Sequence, residues 1–137
     1  MSRLILLDNE AVQALADPEH PKHRRALSHI QVVARRKARQ IPIRVAVPTG
    51  VRVEAGYSRT EATNAFLGRL RVSDVPLDTA TANVAADIVS RAAVSVADAH
   101  LGAVMQMVAN EQLTVITSDP DDMRAVAGTA GVTVVVI

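Results

Sequence analysis

Apolar residues along this chain come in two alternating kinds of run, short and continuous or longer and spaced. Arg3 to Leu7, Ile43 to Val47, Val72 to Pro76, Leu113 to Thr117 and Val132 to Ile137 are the short ones, mostly Leu, Ile and Val. Such runs predict strands, and Leu4 to Leu7, apolar at every position, predicts one covered on both faces. Between the short runs the apolar spacing turns helical. Asn9 to Ala16 predicts a helix ended near Asp17-Pro18. From His23 to about Ala38, residues Ala26, Leu27, Ile30, Val33 and Ala34 share one helix face. Pro48 opens a helix reaching about Ser58, and Glu61 to Leu70 forms another. Thr79 to Ala93 puts Val84, Ile88 and Val89 on its inner side. Val96 to Glu111 and Pro120 to Ala127 are the last helices, and Gly128 and Gly131 bracket the turn into the final strand.

Strands alternating with helices predict the α/β class: a three-layer sandwich whose central, mostly parallel sheet of about five strands is flanked by helices. No repeat, low-complexity tract or linker interrupts the pattern, so residues 1–137 read as a single domain with one continuous core. The apolar share of 49% comes from Ala, Val, Leu and Ile, with Tyr57 and Phe66 the only aromatics, a globular composition. Without cysteine, disulfides and thiolate metal sites are excluded. The apolar run after Met1-Ser2-Arg3 is too short for a signal peptide and no stretch approaches a membrane span. The expectation is a soluble cytoplasmic protein with no membrane association.

The net charge of +1 is uninformative, but its distribution is not. No acid occurs between Glu19 and Glu54, and Lys22, Arg24, Arg25, Arg35, Arg36, Lys37, Arg39 and Arg44 fall into that gap. A basic stretch with acids at distant points suits a polyanionic substrate and a central metal, and equally suits a solvated helix face with a basic loop.

Four acids stand where the local pattern calls for something else. Asp8 follows Leu4-Ile5-Leu6-Leu7, and Asp119 follows Val115-Ile116-Thr117-Ser118, each at the carboxyl end of a strand. Ligands of open parallel sheets gather beyond those ends. Glu54 and Asp98 lie on helix faces that otherwise read as inward. Helical neighbours of Glu54 are Gly50, Val51, Tyr57 and Ser58; those of Asp98 are Val94, Ser95, Leu101 and Gly102. A carboxylate there is costly unless paired or bound to a cation, and several carboxylates without Lys or His form the all-oxygen site that selects Mg²⁺ or Mn²⁺. Each acid also has a structural explanation. Asp119 before Pro120, with Asp122 in the first turn, makes a good helix cap, Ser95-Val96-Ala97-Asp98 resembles a capping box, and Asp8 can cap the helix at Asn9. Glu54 alone lacks such an alternative.

These segments resemble the PIN-domain family of ribonucleases. Leu6-Leu7-Asp8 is similar to its opening strand and first acid, and Val47-Pro48-Thr49-Gly50-Val51-Arg52-Val53-Glu54 to the proline-started helix bearing the second. Val96-Ala97-Asp98-Ala99-His100-Leu101-Gly102-Ala103 is similar to the helix of the third acid, and Val115-Ile116-Thr117-Ser118-Asp119 to the segment of the fourth. A lone domain of this kind looks most like the VapC-type toxins of toxin–antitoxin pairs. One departure stands out: where the family usually has Thr or Ser and then a small polar residue, this chain has Asn9 and Glu10. Glu10 fits a solvent-facing acid of the first helical turn better than a fifth carboxylate of a site.

The resemblance implies a metal-dependent endoribonuclease in which Asp8, Glu54, Asp98 and Asp119 hold one or two Mg²⁺ or Mn²⁺ ions and water is activated against an RNA phosphodiester. Asp8 and Asp98 are then direct ligands, Glu54 and Asp119 direct or water-mediated ones, with Thr117 or Ser118 orienting a carboxylate or water. His100 points away from the face of Asp98 and is not assigned as a base. RNA contacts would come from Arg24, Arg25, Arg35, Arg36, Lys37 and Arg39, since stacking platforms are nearly absent. The implied partners are RNA, of which tRNA is the type suggested, a VapB-like antitoxin, and a second copy in a homodimer. Rival assignments are a catalytically inactive PIN-like module that binds RNA or antitoxin, and a PIN nuclease of RNA maturation. A phospho-accepting receiver domain also places acids at strand ends, but it wants a lysine late in the sheet, and only Lys22 and Lys37 exist.

Overall fold

In the computed structural model, residues 2–38, 42–58, 67–68, 71–108 and 111–137 are described. The elements run β1 (Arg3–Leu7), α1 (Asn9–Ala16), α2 (His23–Ala38), β2 (Ile43–Pro48), α3 (Thr49–Ala55), β3 (Ser73–Val75), α4 (Thr79–Arg91), α5 (Val96–Met107), β4 (Gln112–Thr117), α6 (Pro120–Ala127) and β5 (Val132–Val136). The helix expected over Glu61 to Leu70 falls on residues of which only 67 and 68 are described.

All four strand pairings are parallel, in the order β3-β2-β1-β4-β5. Central β1 is buried on both faces from Leu4 to Leu7, the outcome its unbroken apolar run requires. Edge strand β5 is only partly covered, and Val136 is exposed. From β1 the chain steps out through β2 to β3 at one edge, then returns past β1 to β4 and on to β5 at the other edge. The path reverses between β1 and β4. Their carboxyl ends therefore adjoin, with Leu7 paired to Ile116 and the Asp8 N–H donating to the Ile116 carbonyl at 3.2 Å.

Helix α5 is the hub of its layer, packing on α3, α4 and α6. Its approach to α6 depends on Gly102, because a Cβ there would lie 2.6 Å from both Val126 Cβ and the Val126 carbonyl. Helix α3 spans two layers by packing on both α1 and α5. Several expected boundaries shift. Pro48 is not the first residue of α3 but ends β2 and stands at the helix cap, while α3 stops at Ala55 because Gly56 turns left-handed at φ 68°. Helix α5 ends at Met107, not Glu111. In α4, Ile88 is buried and Val84 partly so, but Val89 is 45% exposed, since Ala85 takes the inner position beside Ile88. No single described helix is long and apolar enough to cross a membrane.

Candidate functional site

Beyond the carboxyl ends of β1 and β4, Asp8 is 5% exposed and holds two roles at once. Its Oδ1 accepts from the Ala11 N–H at 2.8 Å, capping α1, and its Oδ2 accepts from the Thr117 hydroxyl at 2.5 Å. That hydroxyl in turn accepts from the Asp119 N–H at 2.8 Å, so Thr117 ties the first acid to the segment of the last. Ser118 contributes through its backbone, which helps to lower the Asp8 carboxyl. Burial pushes the Asp8 carboxyl up from its ordinary value, against the lowering by Thr117, Ala11 and Ser118.

Asp119 caps α6, accepting from the Asp122 N–H at 3.3 Å, so the capping role and a place at the strand end coexist. Asp98 sits in the first turn of α5, where its N–H donates to Ser95 Oγ at 3.1 Å. The reciprocal bond that would complete a capping box, from the Ser95 N–H to the Asp98 carboxylate, is absent among the described residues, which leaves that carboxylate uncommitted. Burial pushes Asp98 up to about 6, helped by the negative charges of Asp122, Glu54, Asp8 and Asp119, in that order. Acids from the end of β1, from α3 and from the start of α6 therefore act on the Asp98 carboxyl of α5. Among the described residues no Lys, Arg or His forms an ion pair with any of the five.

Glu54 is not on an inward face as its neighbours suggested. It is exposed at the rim, where Asn9 Nδ2 donates to its Oε1 at 2.9 Å. Among the contacts that fix the short helix that carries it are this one, the Arg52–Asp74 ion pair at 2.9 Å to β3, the Gly50 N–H donating to His100 Nδ1 at 3.1 Å, and the Leu77 N–H donating to Thr49 Oγ1 at 3.2 Å. His100 is wholly buried, and burial pushes its imidazole down, so it remains a neutral acceptor turned away from the acids. Its Nε2 is buried without a hydrogen-bond partner among the described residues. Glu10 leaves the cluster to pair with His20 at 3.0 Å.

The donor set fits a hard divalent cation by charge and chemistry, being carboxylate oxygens with no cation paired to them among the described residues. It is not a closed cage: among the described residues no three of these side chains converge tightly enough to hold an ion as they stand. Mutual repulsion of like charges favours such spreading.

No protein-family model matches the sequence, and no curated protein does. Among solved structures, the chain is similar to one in the crystal structure of VapBC2 from Rickettsia felis bound to a DNA fragment from their promoter. The likeness has a TM-score of 0.61 and covers 96% of this chain and 98% of that one, at 10% sequence identity. The two chains share a fold. That fold is the α/β sandwich expected from the alternating runs.

Two participants escaped the sequence pattern. Asp122 contributes the largest of the neighbouring charges on Asp98, yet in sequence it passes for a helix-start acid; its spacing of three from Asp119 on one helix was the available signal. Asn9 looked only like a departure from a motif. Of the basic residues, Arg24, Arg25 and Arg35 are exposed on α2 with no ion pair among the described residues. The side chains of Arg36 and Lys37, and Arg39 altogether, lie outside the described residues, as do the side chains of Val33 and Ala34. Arg44 is committed to Glu111 at 2.6 Å.

Proposed function

We propose that this protein is a metal-dependent endoribonuclease of the PIN type, acting as the toxin of a toxin–antitoxin pair. The observation that carries the proposal is the setting of Asp98, raised to about 6 with four further carboxylates close enough to repel it and no cation paired with it among the described residues. Asp8, Asp98, Glu54 and Asp119 would hold Mg²⁺ or Mn²⁺. When bound, such an ion supplies charge stabilisation at a phosphate and an acidified water. The chain's own residues do the positioning. Thr117 aims Asp8 and anchors the backbone of Asp119, while burial keeps Asp8 from turning into solvent. Arg24, Arg25 and Arg35 would meet RNA phosphates, with Arg36, Lys37 and Arg39 extending the same stretch. The shared fold with a chain of VapBC2 favours a VapB-like antitoxin as partner.

The absence of a ready cage favours a second reading, a PIN-like module that binds RNA or antitoxin without cutting. One experiment separates the two. Purified protein is incubated with total RNA, with Mn²⁺ or with EDTA, beside Asp98→Asn. Cleavage that requires Mn²⁺ and Asp98 supports the nuclease; RNA binding without cleavage supports the module.

A further inference from the structure

We infer that Asn9 is a positioning residue for Glu54, fixing an acid of the cluster that the fold leaves exposed at the rim; this rests on the metal-binding reading above. Glu54 has a single described hydrogen-bond partner, the Asn9 side chain. A carboxylate only accepts, so Asn9 must present its NH₂ group to Glu54 Oε1, and its carbonyl oxygen must face the other way. There it accepts from Gln13 Nε2 at 2.6 Å, one helical turn further along α1. The two bonds leave no freedom in the amide's orientation: reversing it would set an oxygen against the Glu54 carboxylate and an NH₂ against the Gln13 NH₂.

The choice of an amide has a chemical consequence. Asn9 directs the carboxylate without adding a positive charge, so the negative field that would attract a cation is undiminished, whereas a Lys or Arg at this place would pair with Glu54 and cancel it. The same contact joins α1, which Asp8 caps, to α3, which bears Glu54. One side chain thereby sets the spacing between the buried first acid and the exposed second. Glu10, the next residue along, pairs with His20 and reaches the cluster only through its charge, which helps to push Asp8 up.

The test is Mn²⁺ binding, measured by calorimetry on the full chain for wild type, Asn9→Ala, Gln13→Ala and Asn9→Ser, with thermal unfolding in the same buffer. Asn9→Ala is expected to weaken Mn²⁺ binding by about ten- to a hundredfold, the usual effect of removing a partner of a metal-ligating carboxylate. Gln13→Ala should weaken it by a smaller factor, and Asn9→Ser, which keeps a donor, should recover part of the loss. Midpoints of unfolding should stay within about 2 °C of wild type. In the metal-free protein the Asn9 side-chain amide resonances should move on Glu54→Gln. Unchanged Mn²⁺ affinity in Asn9→Ala, or a loss of affinity matched by a large loss of stability, overturns the positioning role while leaving the metal site in place. Wild-type protein that takes up no Mn²⁺ refutes the metal reading and the Asn9 role with it.

Discussion

The two ends of one parallel sheet treat the same functional group in opposite ways. At the amino end, Glu111 before β4 meets Arg44 of β2 at 2.6 Å, and Arg3 Nε bonds Gln112. On the helices and edge, Asp87, Asp121 and Asp74 likewise pair with Arg91, Arg124 and Arg52. At the carboxyl end, Asp8, Glu54, Asp98, Asp119 and Asp122 gather without a described basic partner, and Asp98 is pushed up to about 6. None of the described arginines pairs with the cluster. Exposed pairs contribute little to stability, so their presence elsewhere is unremarkable; concentrated unpaired carboxylates oppose folding and call for a ligand that repays them.

The contrast can be broken at several points. The largest expected effect is on activity: Asp98→Asn should lower Mn²⁺-dependent RNA cleavage by about a hundredfold or more, measured as initial rates beside an EDTA control. Retention of wild-type rates would remove Asp98 from the site. Next comes stability at Asp8. Asp8→Ala deletes the cap on Ala11 and strands the buried Thr117 hydroxyl, and should cost about 2 kcal/mol in urea unfolding at pH 5. No loss, or a gain, would mean that relief of repulsion outweighs both hydrogen bonds.

A smaller effect tests the electrostatics directly. Asp98 ionises near 3.8 when unfolded and about 6 in the fold, so between those values the native state holds the extra proton. Stability of the metal-free protein should therefore fall as pH rises from about 4 to about 6, and stay lower above that, by about 1 kcal/mol after allowance for solvent screening. Asp98→Asn should make the slope shallower, leaving the part due to Asp8 and Asp122, whose carboxyls are also pushed up. Mn²⁺ affinity should follow the opposite trend, rising with pH as the carboxyl loses its proton. The smallest effect belongs to the control region. Glu111→Gln, which breaks the pair with Arg44, should cost under about 1 kcal/mol and leave RNA cleavage unchanged.

Legibility in the sequence differed from element to element for identifiable reasons. Strand β1 and helices α1, α2 and α6 have the bounds their patterns predict; a continuous apolar run delimits β1, and cap residues mark the ends of α1 and α6. Val89 was misplaced because Val84, Ala85, Ile88 and Val89 all suit one helical face, and only the packing of α4 on α5 selects between the last two. Glu54 was read as inward from its neighbours, but α3 is barely two turns long and its orientation is set by contacts with α1, α5 and β3. His100, beside an acid in sequence, is a core acceptor for Gly50, and a Cβ on Gly50 would come to 3.1 Å from its Nδ1.

By itself, then, the sequence determined the class of fold and the identity of the four suspect acids, because periodicity and strand-end position are local properties of the chain. Only the tertiary structure decided which charges are neighbours. Asp8 and Asp119 adjoin because β1 and β4 pair, and Asp122 reaches Asp98 because Gly102 lets α6 approach α5. Glu54 is steered by an asparagine 45 residues away. Electrostatic energy depends on distance through space, and distance through space follows from strand order and helix packing, neither of which a one-dimensional pattern contains.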